Sequence, residues 1–236
     1  PIVLACKTSR HLQLGVGQLV QGVPLEKAHQ ALSEVARSCI QRVAESELER
    51  LVEKHGHPVN PENQTGCEFT FLYAGKVGGC EPNYHSKTMF WLVYDAEGRT
   101  DGDRLQKPVS NQHFFSLLAS RVARVVGQGG GRLLDLEPCP LFGDAVVACF
   151  SLASWDALLQ KKKRERELAM LLVQTQVSHP GNSFDQQIIA GVDRFLTSVA
   201  SDAEFWKRVW QDRLDREVDA SEWNLKRSVG GTMDVE

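Results

Sequence analysis

The chain has 236 residues, 42% of them hydrophobic and 24% charged, the balance of an ordinary globular protein of one sizeable domain or two small ones. A net charge of −3 gives no bulk electrostatic case for binding nucleic acid or a membrane surface, and no apolar run approaches the roughly 20 residues needed to span a bilayer. Six widely spaced cysteines without a C-x-x-C pair read as reduced, mostly buried thiols of a cytoplasmic protein, and seven scattered histidines disfavour a zinc site.

Residues 1–6 are apolar but too short, and without the basic leader, for a signal peptide. A start at Pro1 rather than Met reads as an excised segment. Residues 10–22 suggest a short helix weakened by Gly15 and Gly17. Pro24 opens a stronger one: Leu25, Ala28, Leu32, Val35, Ala36, Cys39, Ile40, Val43 and Leu51 recur at three- and four-residue steps as far as Lys54. Two prolines, two asparagines and a glycine make 57–66 a loop. Residues 67–73 alternate and are aromatic, which predicts a strand. A glycine-rich turn around Gly78-Gly79 follows, and then the near-continuous apolar run 89–94, as expected of a strand buried on both faces.

The charged stretch 95–109 reads as a loop, and Ser110 as the cap of a helix running to about Val126. Residues 127–131 form a glycine turn, and 132–136 and 145–150 are predicted strands. Beyond Ser151 the pattern is helical, over 151–177 and 183–217, broken at 178–182. The basic run 161–166 reads as a solvated helix face, with a phosphate contact as the alternative. Trp206 and Trp210, with Phe205, Val209 and Leu214, read as helix core.

Two stretches about 140 residues apart resemble one family. Gly75-Lys76-Val77-Gly78-Gly79-x-Glu81-x-Asn83-Tyr84-x-Ser86, before a strand ending Tyr94-Asp95, resembles the nucleotidyltransferase core of glutamine synthetase adenylyltransferases. Leu225-Lys226-Arg227-x-x-Gly230-Gly231-x-Met233-Asp234-Val235-Glu236 is similar to the motif closing that domain. Asp101-Gly102, Gln112-His113-Phe114-Phe115, Arg132-Leu133 and Glu165-Arg166 also have counterparts in order, so the resemblance covers almost the whole chain. It implies an α+β, polymerase-β-like nucleotidyltransferase fold with a small mixed sheet flanked by N-terminal and C-terminal helices. The corresponding divisions are a helical segment over 1–56, an α/β core over 57–158, and a helical segment over 159–236 that stops within the closing motif. Further implied are glutamine synthetase and a PII-type regulator as partners, a second nucleotidyltransferase domain in the same parent chain, and ATP with magnesium wherever the activity is retained.

The family places Asp-x-Asp directly after the serine, two carboxylates on one face of a strand that together bind divalent metal. Here those positions hold Lys87 and Met89. A lysine brings positive charge to a cation site, and a thioether is a poor magnesium ligand. The third carboxylate is matched by Asp135, but the arginines that follow it in the family are Glu137 and Cys139, and Arg164 replaces a tryptophan. By resemblance Gly78, Gly79, Ser86 and Lys226 would contact nucleotide, and Asp135 would be a vestigial catalytic residue, with no metal ligands. A glycine pair also serves any tight turn. Lys87 reads as a surface lysine or one paired with Asp135, or else as a cation neutralising a bound phosphate. Asp95 with Glu97, and Asp101 with Asp103, read as solvated turn residues. His85 and His113 lack a nucleophile and an orienting group, and take no catalytic role.

Three functions follow as expectations: a catalytically impaired domain with a scaffold or regulatory role; an active adenylyl transferase or adenylyl-removing domain with a metal site moved to Asp135 and Asp95; and a nucleotide or metabolite sensor using Lys76, Lys87 and Lys226.

Overall fold

The computed structural model describes residues 2–103, 105–128, 132–139, 141–143, 146–161 and 165–218. Two compact units divide the chain, Pro1–Val192 and Asp193–Glu236. In the first, helix α1 (Ile2–Gln21) packs on α2 (Leu25–His55), and α2 packs on α4 (Asn111–Gln128). The sheet under α2 and α4 has four strands in the order β5-β4-β3-β6: Cys149–Ser151, Met89–Tyr94, Phe69–Ala74 and Gln176–Val177. The central pair β3/β4 is antiparallel, with Phe71 opposite Leu92. β6 joins β3 antiparallel and β5 joins β4 parallel. This is the mixed α+β arrangement expected of a polymerase-β-like domain with flanking helices.

One core holds these layers together. Ile40, Val43 and Leu51 of α2, Phe71 and Tyr73 of β3, Phe90 and Leu92 of β4, and Phe114, Leu118 and Val122 of α4 pack together, each nearly inaccessible to water. Phe114 and Phe115 can open α4 because Ser110 caps it, its Oγ accepting from His113 N at 3.2 Å. Glu47 of α2 is buried among these apolar side chains. Its carboxylate is held by Arg50 (2.6 Å) and by Arg121 of α4 (3.5 Å), so the charge sits between two guanidiniums.

Several expectations change. The first helix starts at Ile2, not residue 10, and runs through Gly15 and Gly17. Gly17 is buried, and a Cβ there would come within 3.1 Å of Val23, so close packing offsets the weak helical propensity. The expected 57–66 loop contains an antiparallel ribbon, β1 (Val59–Asn60) with β2 (Thr65–Gly66). The glycine turn after β3 is a single helical turn, α3 (Gly75–Gly78).

Residues 132–136 form no strand. Leu133 and Leu134 turn their amides back to Val126 O, at 3.0 and 3.1 Å, and Pro138 withdraws a donor just beyond. A single parallel bridge, Leu136 with Thr88, is what remains of the pairing. Of the strand expected over 145–150 the described part begins at Cys149. The helical stretch beyond Ser151 is α5 (Leu152–Leu159) and α6 (Glu165–Val173), followed by β6, whose two residues carry no periodic signal. Of the basic run, residues 162–164 lie outside the described residues. Lys161 is exposed, and Arg166 lies 3.4 Å from Glu167.

The long terminal helix is two: α7 (Ser183–Ala200) and α8 (Ala203–Val218), separated at Ser201-Asp202, where Asp202 accepts from Glu204 N at 2.8 Å and restarts the helix. In the second unit Phe195, Val199 and Phe205 are buried, but Trp206 and Trp210 are 53% and 64% exposed and are not helix core. Helical spacing put them on one face, and that face is the solvated one. No helix among the described residues is long and apolar enough to cross a membrane.

Candidate functional site

Strand β4 sets the geometry. Alternation along it sends Phe90, Leu92 and Tyr94 into the core under α2 and α4, with Tyr94 stacked on Phe115 at 4.8 Å. Met89, Trp91 and Val93 take the other face, where Trp91 meets Phe142 at 5.1 Å and Trp155 at 5.8 Å. Thr88 continues the strand: its N–H donates to Asp135 O (2.7 Å) and its carbonyl accepts from Glu137 N (3.0 Å). Thr88 is buried on the core side, so Lys87 stands on the same face as Met89.

Lys87 Nζ lies 3.9 Å from Glu137 Oε1, both about half exposed. The lysine is therefore ion-paired, but with Glu137 and not with Asp135. Leu136 sits opposite Thr88 and packs on the core, which brings Glu137 to the lysine's side of the bridge. Asp135 takes Arg132 as its partner at 3.5 Å.

The glycine turn does not offer its later amides to a ligand. Gly79 N donates to Gly75 O at 2.8 Å, Cys80 N to Val77 O at 3.4 Å and Glu81 N to Lys76 O at 2.7 Å. Gly78 is fixed by packing: a Cβ there would fall 2.2 Å from the carbonyl oxygens of both Tyr73 and Gln174. Ser86 closes a polar turn, its Oγ accepting from Asn83 N at 2.8 Å and donating to Asn83 Oδ1 at 3.1 Å. Lys226 and the closing motif over 225–236 lie outside the described residues.

The remaining acids are engaged locally. Asp95 accepts from Asn60 Nδ2 (2.9 Å) and from the Cys67 thiol (2.5 Å), and Glu97 accepts from the Tyr94 hydroxyl (2.9 Å). Asp101 accepts from His57 N, and Asp103 from the amides of Leu105 and Gln106. Glu97, Asp101 and Asp103 are exposed, as expected of turn residues, whereas Asp95 is partly buried and tied to Asn60 and Cys67. Asp135 bonds to Thr88 at one end of β4 while Asp95 follows the other end. Seven residues of extended chain between them span roughly 23 Å, too far for one metal ion.

Four thiols are made less acidic by their surroundings. Burial, followed by the Asp95 hydrogen bond, pushes Cys67 up to about 12, and burial does the same for Cys149. Burial also raises Cys39 and Cys139. All six cysteines are free. His85 and His113 are exposed.

A half-open cleft of about 280 Å³ lies on the α2 side of the sheet, between α1 and the turn at 82–86. Lys7 and His11 of α1 line it, with Asn83, His85, Ser86 and Arg132. Tyr84 fastens α1 to this turn: its hydroxyl donates to Gln18 Oε1 at 2.8 Å, and its ring meets His11 edge-on at 5.5 Å. A helix begun at residue 10 holds His11 but leaves out Lys7, so the sequence did not show the pair on one helix face. Their i, i+4 spacing was the available signal.

A family model for glutamate-ammonia ligase adenylyltransferase matches residues 5–179, nearly the whole of the first unit. The chain belongs to this family. Among its relatives are the bifunctional glutamine synthetase adenylyltransferase/adenylyl-removing enzymes of three bacteria. That of Thioalkalivibrio sulfidiphilus is 26% identical over 95% of this chain and 24% of the relative. The Pseudomonas syringae pv. tomato enzyme is 24% identical over 98% and 25%, and that of Mannheimia haemolytica 25% identical over 96% and 24%. The chain spans about a quarter of the length of these relatives.

The magnesium that this family implies does not fit the residues present. Of the two strand positions to which the resemblance assigns carboxylates, one is an ammonium paired to Glu137 and the other a thioether. Asp135 already answers Arg132. Among the described residues no group of three or more histidine, cysteine, aspartate or glutamate side chains is placed to hold a metal ion.

Proposed function

We propose that this chain is a nucleotidyltransferase-fold domain of a glutamine-synthetase-modifying protein, released from metal-dependent transfer and kept as a scaffold or regulatory surface. Glutamine synthetase, a PII-type regulator and a second, catalytic nucleotidyltransferase domain in the same cytoplasmic parent chain are its partners in this reading. Neither ATP nor magnesium is needed by this domain. The observation that carries the proposal is Lys87 beside Glu137, on the strand face where two carboxylates would hold the metal. The ammonium repels a divalent cation and also occupies a nearby carboxylate.

An active domain with its metal moved to Asp135 and Asp95 is disfavoured, because those residues follow opposite ends of β4 and each has a partner. Titration calorimetry of the chain with ATP, with and without magnesium, tests the proposal together with transfer of labelled AMP to glutamine synthetase. We expect no magnesium-dependent ATP binding and no label. Magnesium-dependent binding accompanied by labelling would refute the reading.

A further inference from the structure

We infer that the cleft between α1 and the turn at 82–86 is a metal-independent binding site for a small phosphate-bearing anion. Ser86 and Asp135 line it too, but Lys7 and His11 of α1, which belong to none of the motifs that carry the family resemblance, supply one wall, so the inference goes beyond the function proposed above and stands whether or not that function holds.

The walls converge hydrogen-bond donors on one small space. Lys7 is partly buried in the cleft and has no hydrogen bond or ion pair among the described residues. An ammonium left half-desolvated without a counter-ion favours an anion beside it. One turn further along the same helix, His11 is held below its ordinary value, by burial first and by Lys7 second. At neutral pH it is an uncharged imidazole with a ring N–H to give.

From the opposite wall, Asn83 uses its side-chain oxygen to accept from His85 N (2.9 Å) and Ser86 Oγ (3.1 Å), which leaves its amide protons unpartnered among the described residues. Arg132 makes one 3.5 Å contact to Asp135, and a guanidinium with five donors retains others. Asp135 is the one acid among the lining residues, and that contact partly neutralises it.

The balance of charge and donors therefore selects an oxyanion, and a half-open cleft of about 280 Å³ has room for phosphate or a compact phosphate monoester. Lysine and arginine supply the charge-assisted hydrogen bonds that phosphate oxygens accept. The Tyr84–Gln18 bond fixes α1 against the turn, so the donors are held in place before a ligand arrives.

The test uses the 236-residue protein in EDTA, titrated calorimetrically with inorganic phosphate and separately with adenosine monophosphate, at constant ionic strength set with chloride. The expected result is saturable one-to-one binding without metal. Lys7→Gln and Arg132→Gln should each weaken it about ten-fold, Lys7→Arg should restore it, and Lys87→Gln, on the other face, should leave it unchanged. Circular dichroism shows whether each variant is folded. Adenosine monophosphate binding ten-fold tighter than phosphate identifies a nucleoside monophosphate as the ligand source, and equal affinities identify the phosphate group alone. No saturable binding of either probe overturns the inference, as does binding that requires magnesium, or binding lost in Lys87→Gln and kept in Lys7→Gln.

Discussion

Gly78 and Gly79 are adjacent, yet alanine should affect them in opposite ways. At Gly78 an added Cβ meets two backbone carbonyl oxygens at 2.2 Å, one from Tyr73 at the end of β3 and one from Gln174 ahead of β6. Neither is the tip of a flexible side chain, so α3 must move away from the sheet edge that it packs on. Overpacking of this kind costs about 1–3 kcal/mol, and a clash with backbone on two sides belongs at the upper end. A loss of ~3 kcal/mol lowers Tm by roughly 6–12 °C in a chain of this size. At Gly79 the nearest atoms belong to the Gln174 side chain, at 3.4 Å, and the backbone lies at φ −75°, open to any L-residue. Gly79→Ala should therefore be neutral, or stabilising by about 0.4–1 kcal/mol through the unfolded state. Urea unfolding of both variants followed by circular dichroism measures the contrast. Wild-type stability in Gly78→Ala, or equal losses in both, would refute the argument that packing rather than a ligand fixes this glycine.

Glu47→Ala removes the carboxylate between Arg50 and Arg121 and should cost about 2–3 kcal/mol in urea unfolding, whereas Arg50→Ala, at a side chain 65% exposed, should cost less than about 1 kcal/mol. Cys67 and Cys149 rise from 9.0 to about 12 and Tyr73 from 10.0 to about 12 on folding, so their contribution is complete below pH 9 and is lost as pH climbs toward 12. Alkaline unfolding monitored by circular dichroism should show this loss, with a flatter decline in Cys149→Ala; superimposable curves would count against it. Replacing both Lys87→Asp and Met89→Asp should give magnesium binding by calorimetry where the wild type has none, and a silent titration would mean that the two positions do not share a face.

Legibility in the sequence followed the strength of the periodic signal. Helix α2 was readable to within a residue at each end because its apolar positions repeat over eight turns and Gly56 stops it. β3 and β4 were readable because both are apolar and bounded by turn chemistry. β1, β2 and β6 are two residues long, and a pair of residues has no period to detect. The strand expected at 132–136 failed for a different reason: its apolar residues bury into the core while their amides cap the end of α4, so hydrophobicity was read correctly and backbone pairing was not. At the site, the substitutions at 87 and 89 were visible from the sequence alone. The partner of Lys87 was not, because Asp135 and Glu137, two residues apart, lie on the same side of Leu136, and only the fold shows that Arg132 takes the first and Lys87 the second. Lys7 and His11 enter the cleft through contacts between distant segments, Tyr84 with Gln18, 66 residues away, and with His11, 73 residues away, that no local pattern announces.

The residue types at 87 and 89, where the resemblance expects paired carboxylates, are physically separable from the fold. Phe90 through Tyr94 are each no more than 2% exposed, and burying side chains of this size contributes about 1.5–3 kcal/mol apiece. That stabilisation comes from both faces of the strand, from α2 and α4 on one side and from Trp155 and Phe142 on the other. Lys87 lies just outside the buried run and Met89 at its edge, where a half-exposed side chain adds little packing energy. Two carboxylates at these positions would repel one another without a metal between them, a local electrostatic cost that a lysine paired to Glu137 and a thioether do not carry. Lysine at 87 and methionine at 89 are therefore expected to leave the fold as stable as a carboxylate pair would, or more so. The same reasoning applies to Gly78: Tyr73 and Gln174 leave no room for a side chain there, whether or not phosphate is ever bound.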